Sequence, residues 1–257
     1  MPIMTLPDLV LVHGGEHAGD CWDLVIAELR RLAPELRTLA VDLPGHGAKP
    51  GDLATVTIGE WVDSVVSDID AAGLGDIVIV GHSMAGVTVP GVVAKLGSSR
   101  VREMILASAF VPPQGKAIAD TLGGPLAVFA RRAARIGRPM SIPAPAARWA
   151  FCNGMTRAQS TLTMSKLHAE SARIPAEPVD RSGFPEDVPR TWILTTRDRA
   201  LSVKSQHASM AALGGVQDVI PIEACHEVMF SHPERLAQIL VERCRLRSGG
   251  NERSRPE

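Results

Sequence analysis

Asp76-Ile-Val-Ile-Val-Gly-His-Ser-Met-Ala-Gly86 runs from β-branched residues straight into small and polar ones. An unbroken apolar stretch of this length suits a strand buried on both faces. A helix rich in Val and Ala follows. Ser83 therefore falls on a sharp strand-to-helix turn, where the backbone is strained and the hydroxyl stands above the sheet edge. Small neighbours are needed there because the chain crowds itself. The usual spacing is G-x-S-x-G. Here Ala85 takes the last position and Gly86 follows, a mild departure that a residue as small as Ala accommodates. The plainer alternative is a serine in an ordinary strand–helix turn.

Working outward, residues 9–12, 38–43, 104–109, 191–196 and 219–222 form similar brief apolar runs, most ending in Gly, Asp, Ser or His. Between them lie helical periods. Ile58, Trp61, Val62, Val65, Val66 and Ile69 make one apolar stripe, opened by a Thr57/Glu60 capping box. Trp22, Val25, Ile26 and Leu29 make another behind an Asp20 cap. Ser231 and Glu234 have capping-box spacing before Leu236, Ile239 and Leu240. Strand–helix alternation predicts an α/β fold: about six mainly parallel strands with helices on both faces.

The rhythm breaks between Val111 and Pro189, where ten of the nineteen prolines fall and no strand is evident. Residues 117–136 and 156–173 read as helices separated by the proline-rich residues 138–145. A helical insertion fits better than a structureless loop of that length, with a distorted pair of sheet-packing helices as the alternative. The expected division is a core of residues 1–110 and 190–247, a helical cap of 111–189, and a disordered tail of 248–257.

A serine hydroxyl attacks a carbonyl only with a base and an acid that orients the base. Thr191-Trp-Ile-Leu-Thr-Thr-Arg-Asp198 and Val219-Ile-Pro-Ile-Glu-Ala-Cys-His226 end successive strands in an acid and a histidine. Asp198 and His226 are the candidates for those roles. His168, His207 and His232 read as helix residues; Glu223 and Glu227 as surface acids beside His226; Asp187 precedes its strand instead of ending it. Leu11-Val-His-Gly-Gly-Glu-His17 closes the first strand with paired glycines, which let backbone N–H groups approach an oxyanion. The expected donors are the N–H groups of Gly15 and Met84. His46, in the turn after the second strand, reads as structural.

Composition excludes several classes. The 257 residues, 45% hydrophobic, suffice for one core. A net charge of −1 without a basic run gives no footprint for nucleic acid. No apolar run is long enough to span a membrane, and no secretory leader is evident. Cys21, Cys152, Cys225 and Cys244 are scattered and read as reduced core thiols. No phosphate loop or metal motif appears, so neither cofactor nor metal is expected. The expectation is a cytoplasmic monomer or homodimer acting on a small molecule.

Beyond these motifs, the sequence resembles the α/β-hydrolase superfamily over almost its whole length. Within it, the chain is similar to the cofactor-free methylesterase and hydroxynitrile-lyase group. The stretches carrying the likeness are Leu11-Val-His-Gly-Gly-Glu-His-Ala-Gly-Asp-Cys-Trp22, Val41-Asp-Leu-Pro-Gly-His-Gly47, Gly81-His-Ser-Met-Ala-Gly86, Thr195-Thr-Arg-Asp-Arg-Ala200 and Cys225-His-Glu-Val-Met-Phe-Ser-His-Pro233. The resemblance implies a six-stranded sheet, a helical cap over the site, and acyl transfer by Ser83, His226 and Asp198. Plant lyases of the group place Thr and Lys where this chain has Gly14 and Glu227. A carboxylate opposes departing cyanide, so ester hydrolysis is favoured over cyanohydrin cleavage, and a non-catalytic small-molecule-binding protein is the third reading.

The expected substrate is a small or medium hydrophobic ester. Gly14, His82, Phe129, Trp149, Phe151 and Met155 are its candidate contacts, with Met140, Leu162 and Met164 as further apolar candidates. The apolar residues among these serve equally as the insertion's own core. Arg131, Arg132, Arg135 and Arg138 form either a basic face or solvated surface.

Overall fold

The computed structural model describes residues 5–122, 132 and 134–248. Six strands form one sheet: β1 (Asp8–Val12), β2 (Thr38–Val41), β3 (Ile77–His82), β4 (Val101–Ala107), β5 (Arg190–Thr195) and β6 (Asp218–Ile222). Their spatial order is β2-β1-β3-β4-β5-β6 and every pairing is parallel. Each lies on one of the apolar runs read from the sequence, with ends differing by a few residues.

Side-chain alternation along the strands sorts the core into two layers. Val10, Val12, Ile77, Ile79, Met104, Leu106 and Trp192 pack on one face, beneath α2 (Ile58–Ala71), α3 (Val89–Leu96) and α6 (Val203–Ala212). Leu9, Leu11, Val78, Val80, Ile105 and Ile193 pack on the other, against α1 (Asp23–Leu32) and α7 (Pro233–Arg247). β6 is an edge strand, and only there does a strand contain a proline, Pro221. All four cysteines are free and buried.

Local signals at helix starts fare unevenly. Thr57 and Glu60 form the reciprocal capping box at α2. Asp20 does not cap α1: it lies in the 3₁₀ turn Gly19–Trp22 and accepts from Lys166 Nζ at 2.7 Å. The Ser231/Glu234 box is also absent. Ser231 ends a short helical turn and donates to the Glu227 carbonyl at 3.1 Å, while Pro233 starts α7 with its fixed φ.

The connection from β4 to β5 contains a helical turn at Ile118–Thr121, then α4 (Ala144–Phe151) and α5 (Arg157–Ser165). α4 occupies part of what reads as a proline-rich separator. Pro143 is its N-cap and Pro145 lies in its first turn, where a missing N–H breaks no helical hydrogen bond. α5 begins at a Thr156/Gln159 capping box and ends at Ser165, short of the expected Arg173. Part of the expected 117–136 helix lies outside the described residues, as do Phe129 and Arg131. Arg132, Arg135 and Arg138 are exposed. No described helix is long and apolar enough to cross a membrane.

Glu103 on β4 is an acid in a fully buried position, and α7 answers it. Its carboxylate accepts from Thr191 Oγ1 at 2.5 Å, from Arg243 at 3.0 and 2.6 Å, and from Arg247 Nε at 3.0 Å. Arg243 also donates to Asp218 at 2.7 Å, so removing Glu103 leaves the buried guanidinium only that half-exposed partner. Glu103→Ala is expected to lower unfolding stability by about 3 kcal/mol, read by chemical denaturation. A loss within experimental error would show that Asp218 suffices to hold the Arg243 charge.

Candidate active site

Ser83 follows the last residue of β3 with φ at +52°, in the left-handed region that a residue with a Cβ adopts only under constraint. Its carbonyl accepts the Phe110 N–H at 2.9 Å, tying the turn to the chain beyond β4. The flanking glycines answer crowding. A Cβ on Gly81 would lie 2.8 Å from Val89 Cγ2, and one on Gly86 would lie 2.4 Å from the Phe110 carbonyl oxygen. The same virtual Cβ on Gly81 would sit 3.3 Å from the Ala85 methyl. Position 86 thus carries the severe requirement for glycine, and position 85 has room for alanine.

From the ends of β5 and β6, two and three strands away, Asp198 and His226 converge on the serine. His226 Nε2 lies 2.8 Å from Ser83 Oγ, and His226 Nδ1 lies 2.7 Å from Asp198 Oδ2. All three residues are buried. Asp198 is held on both oxygens. Oδ1 accepts the N–H groups of Ala200 and Leu201 at 2.8 and 2.7 Å, and Oδ2 also accepts Thr195 Oγ1 at 3.0 Å. Thr195 is itself held by Ser108 Oγ at 2.6 Å and Gln206 Nε2 at 3.1 Å. Burial works against a charged His226, but the Asp198 carboxylate and its hydrogen bond, then Glu227, outweigh it and raise the imidazole pKa. A hydroxyl aligned with a carboxylate-backed imidazole has the means to become a nucleophile.

The β1 loop closes over this line. A Cβ on Gly14 would lie 2.8 Å from Ser83 Cβ and 3.0 Å from His82 Nδ1. A Cβ on Gly15 would lie 3.1 Å from Met84 Cε. The paired glycines are what let the loop pass this close to the serine turn. With this geometry in view, the family model described as "Alpha/beta hydrolase family" matches residues 9–239. The chain belongs to the alpha/beta hydrolase family.

Within this family, a carbendazim hydrolyzing esterase from a Nocardioides strain is 30% identical over 44% of this chain and 46% of its own length. A pyrethroid hydrolase from Sphingobium wenxiniae is 24% identical over 93% of this chain and 88% of its own. Among solved structures, an extracellular alpha/beta-hydrolase from a Paenibacillus species superposes with a TM-score of 0.81 at 24% identity. It covers 92% of this chain and 98% of that one, a likeness of fold.

The other residues singled out from the sequence scatter. Phe151, in the last turn of α4, stacks on the His226 ring with centroids 5.6 Å apart. Trp149 is 61% exposed and lies under the Arg199 guanidinium instead. Met155 is partly buried and accepts from Thr163 Oγ1 at 3.5 Å. His82 Nε2 donates to the His226 carbonyl at 3.0 Å. His46 is buried and donates to Glu170 at 3.1 Å. His168 and His207 are exposed, and Glu223 is an exposed partner of Arg197. Glu227, read as a surface acid, is buried. Its neighbours Val228, Met229 and Phe230 are buried too, and that apolar run is the one local hint of its position.

Glu16 and Glu170 were not singled out from the sequence, yet they join the β1 loop to the β4–β5 connection. Glu170 Oε2 accepts the Glu16 N–H at 3.0 Å, and the Glu16 carbonyl accepts the His168 N–H at 2.7 Å. Glu16 Oε1 accepts the Ile142 N–H at 2.5 Å. Among the described residues, only His82, His226 and Glu227 cluster as metal-ligating side chains. His226 has both ring nitrogens engaged by Ser83 and Asp198, so the cluster is poorly suited to hold an ion.

Burial, opposed by the Ile142 hydrogen bond and reinforced by Glu170 and Glu227, pushes Glu16 from the ordinary 4.5 up to about 7. A carboxyl raised in the fold contributes stability that is complete below its unfolded value and is lost as pH rises through 7. Glu16→Gln removes the cost of ionisation. Its melting temperature relative to wild type is expected to rise between pH 5 and pH 8, followed by scanning calorimetry. An identical offset at both pH values would rule out ionisation of Glu16 as the source.

Proposed function

We propose that the protein is a serine hydrolase that cleaves small to medium hydrophobic carboxylic esters through an acyl-enzyme intermediate. The observation that carries this reading is the continuous hydrogen-bonded line from Ser83 Oγ through His226 to Asp198, at a strained turn on the sheet edge. Relatives named as an esterase and a pyrethroid hydrolase support it.

In the proposed mechanism Ser83 Oγ attacks the ester carbonyl while His226 Nε2 takes its proton. The oxyanion rests on the backbone N–H groups of Gly15 and Met84. His226 then protonates the leaving alcohol and afterwards draws a proton from water, which releases the acid and regenerates Ser83. Asp198 keeps the proton on Nδ1, so that Nε2 faces the serine as a base. Phe151 and Phe110, packed beside the His226 ring, supply an apolar wall against which an acyl or alkyl group lies. The β4–β5 connection acts as the cap over this site. Cyanohydrin cleavage on the same scaffold is less well supported, because the buried Glu227 carboxylate beside His226 opposes an anionic leaving group.

Hydrolysis of a p-nitrophenyl ester series is expected for wild type and to fall by roughly 10⁴-fold or more in Ser83→Ala. Folded wild-type protein inert across the series would overturn the reading. The acid limb of kcat/KM is expected to have its midpoint above the ordinary imidazole value of about 6.5, and Asp198→Asn to move it down. A pH-independent rate through that region would remove His226 from the base role. Gly14→Ala, whose methyl would press on Ser83 Cβ, is expected to cost about 10²-fold in kcat/KM with the circular dichroism spectrum unchanged. Wild-type rates in Gly14→Ala would show that the loop yields without displacing the serine.

A further inference from the structure

Three buried polar atoms beside the candidate site have no hydrogen-bond partner: Glu227 Oε2, His17 Nε2 and His82 Nδ1. Buried polar atoms are ordinarily paired, so a cluster of three calls for a physical explanation. The role of His82 follows from the contact made on the far side of its ring. His82 Nε2 faces the His226 carbonyl at 3.0 Å, and a carbonyl only accepts, so Nε2 carries the proton and Nδ1 is a lone pair. Burial, with the neighbouring His226, holds His82 neutral by lowering its pKa well below the ordinary imidazole value. His17 Nδ1 donates to the Gly15 carbonyl at 3.0 Å. His17 Nε2 faces Glu227 Oε2 across 3.7 Å, beyond hydrogen-bond reach.

The position of the cluster ties it to the reaction. A carboxylate oxygen of Glu227, a ring nitrogen of His82 and a ring nitrogen of His226 lie within 4.8 Å of one another. His82 Nδ1 also borders Gly14, at the point where a Cβ would touch Ser83. We propose that Glu227, with His82, forms an acceptor subsite that receives an O–H or N–H donor carried by the ester substrate close to its reacting carbonyl. The substrate class is thereby narrowed to hydroxy- or amino-substituted hydrophobic esters. The apolar wall takes the hydrocarbon part, and Glu227 with His82 takes the donor. A methyl group in place of the donor hydrogen leaves the Glu227 oxygen unpaired, and sites built to hydrogen-bond a hydroxyl reject such analogues strongly.

This inference rests on the ester-hydrolase reading, and the test separates the two. Calorimetric titration of the Ser83→Ala protein, which keeps the subsite and lacks the nucleophile, measures affinity without turnover. Two matched pairs serve as probes: methyl mandelate against methyl 2-methoxyphenylacetate, and 2-hydroxyethyl against 2-methoxyethyl phenylacetate. In at least one pair the hydroxyl ester is expected to bind about tenfold tighter or more, as a hydrogen bond to a charged group implies. That preference is expected to collapse in Ser83→Ala/Glu227→Met and to survive in part in Ser83→Ala/Glu227→Gln, which keeps an acceptor oxygen. Equal affinities within both pairs, or no binding of any probe, would overturn the subsite. Wild-type protein that hydrolyses none of the four esters while Ser83→Ala retains the preference would overturn the ester-hydrolase reading alone.

Discussion

The left-handed backbone at Ser83 is the constraint on which the site turns. β3 lies at the middle of the sheet, buried on both faces, so its chain leaves the sheet edge with no freedom to drift. Reversing it into a helix within a few residues forces φ to +52° at a residue that carries a side chain. Such a conformation costs on the order of 1–3 kcal/mol and persists only where packing over-determines it. The packing here is specific: Gly86 against the Phe110 carbonyl, Gly81 against Val89, and the Phe110 N–H on the Ser83 carbonyl. The hydroxyl that results is met at 2.8 Å by a histidine delivered from the far side of β5.

Much of this was legible because it is encoded over short distances. Apolar runs marked all six strands, and the residues closing them marked Ser83, Asp198 and His226, which the fold brings into one hydrogen-bonded line. A strand end is a fixed place, so an acid or histidine there has a predictable address. Helix starts were less reliable. Thr57/Glu60 and Ser231/Glu234 have the same spacing, but the second pair straddles a proline that already sets the helix entry, and its serine is spent on the preceding turn. α4 was hidden for the opposite reason: its prolines read as breakers, whereas one caps the helix and the other lies in its first turn.

The buried acids were illegible on different grounds. Glu16, Glu103, Glu170 and Glu227 are charged side chains in sequence and interior side chains in space, and each is interior because of something far along the chain. Glu103 is answered by Arg243, and Glu170 by the Glu16 amide and by His46. No window of neighbouring residues contains that information. The apolar run after Glu227 was the one available hint, and it does not distinguish a buried acid from one at the rim of a buried segment. Hydrophobic period locates the core, while placing its charges requires the fold.

Glu170 also bears on how this protein could be rebuilt. Its carboxylate accepts from the Glu16 amide, from His46 and from the Ser171 amide, and it pairs through its backbone with Met140. One side chain therefore holds three separate stretches in register: the loop after β1, the turn after β2 and the connection between β4 and β5. The long connection is not an interchangeable module. A chimera that imports it from a relative would carry away the acceptor for the Glu16 amide and leave that loop without its anchor. Residues 16, 46 and 170 form a unit of inheritance, to be exchanged together or left alone.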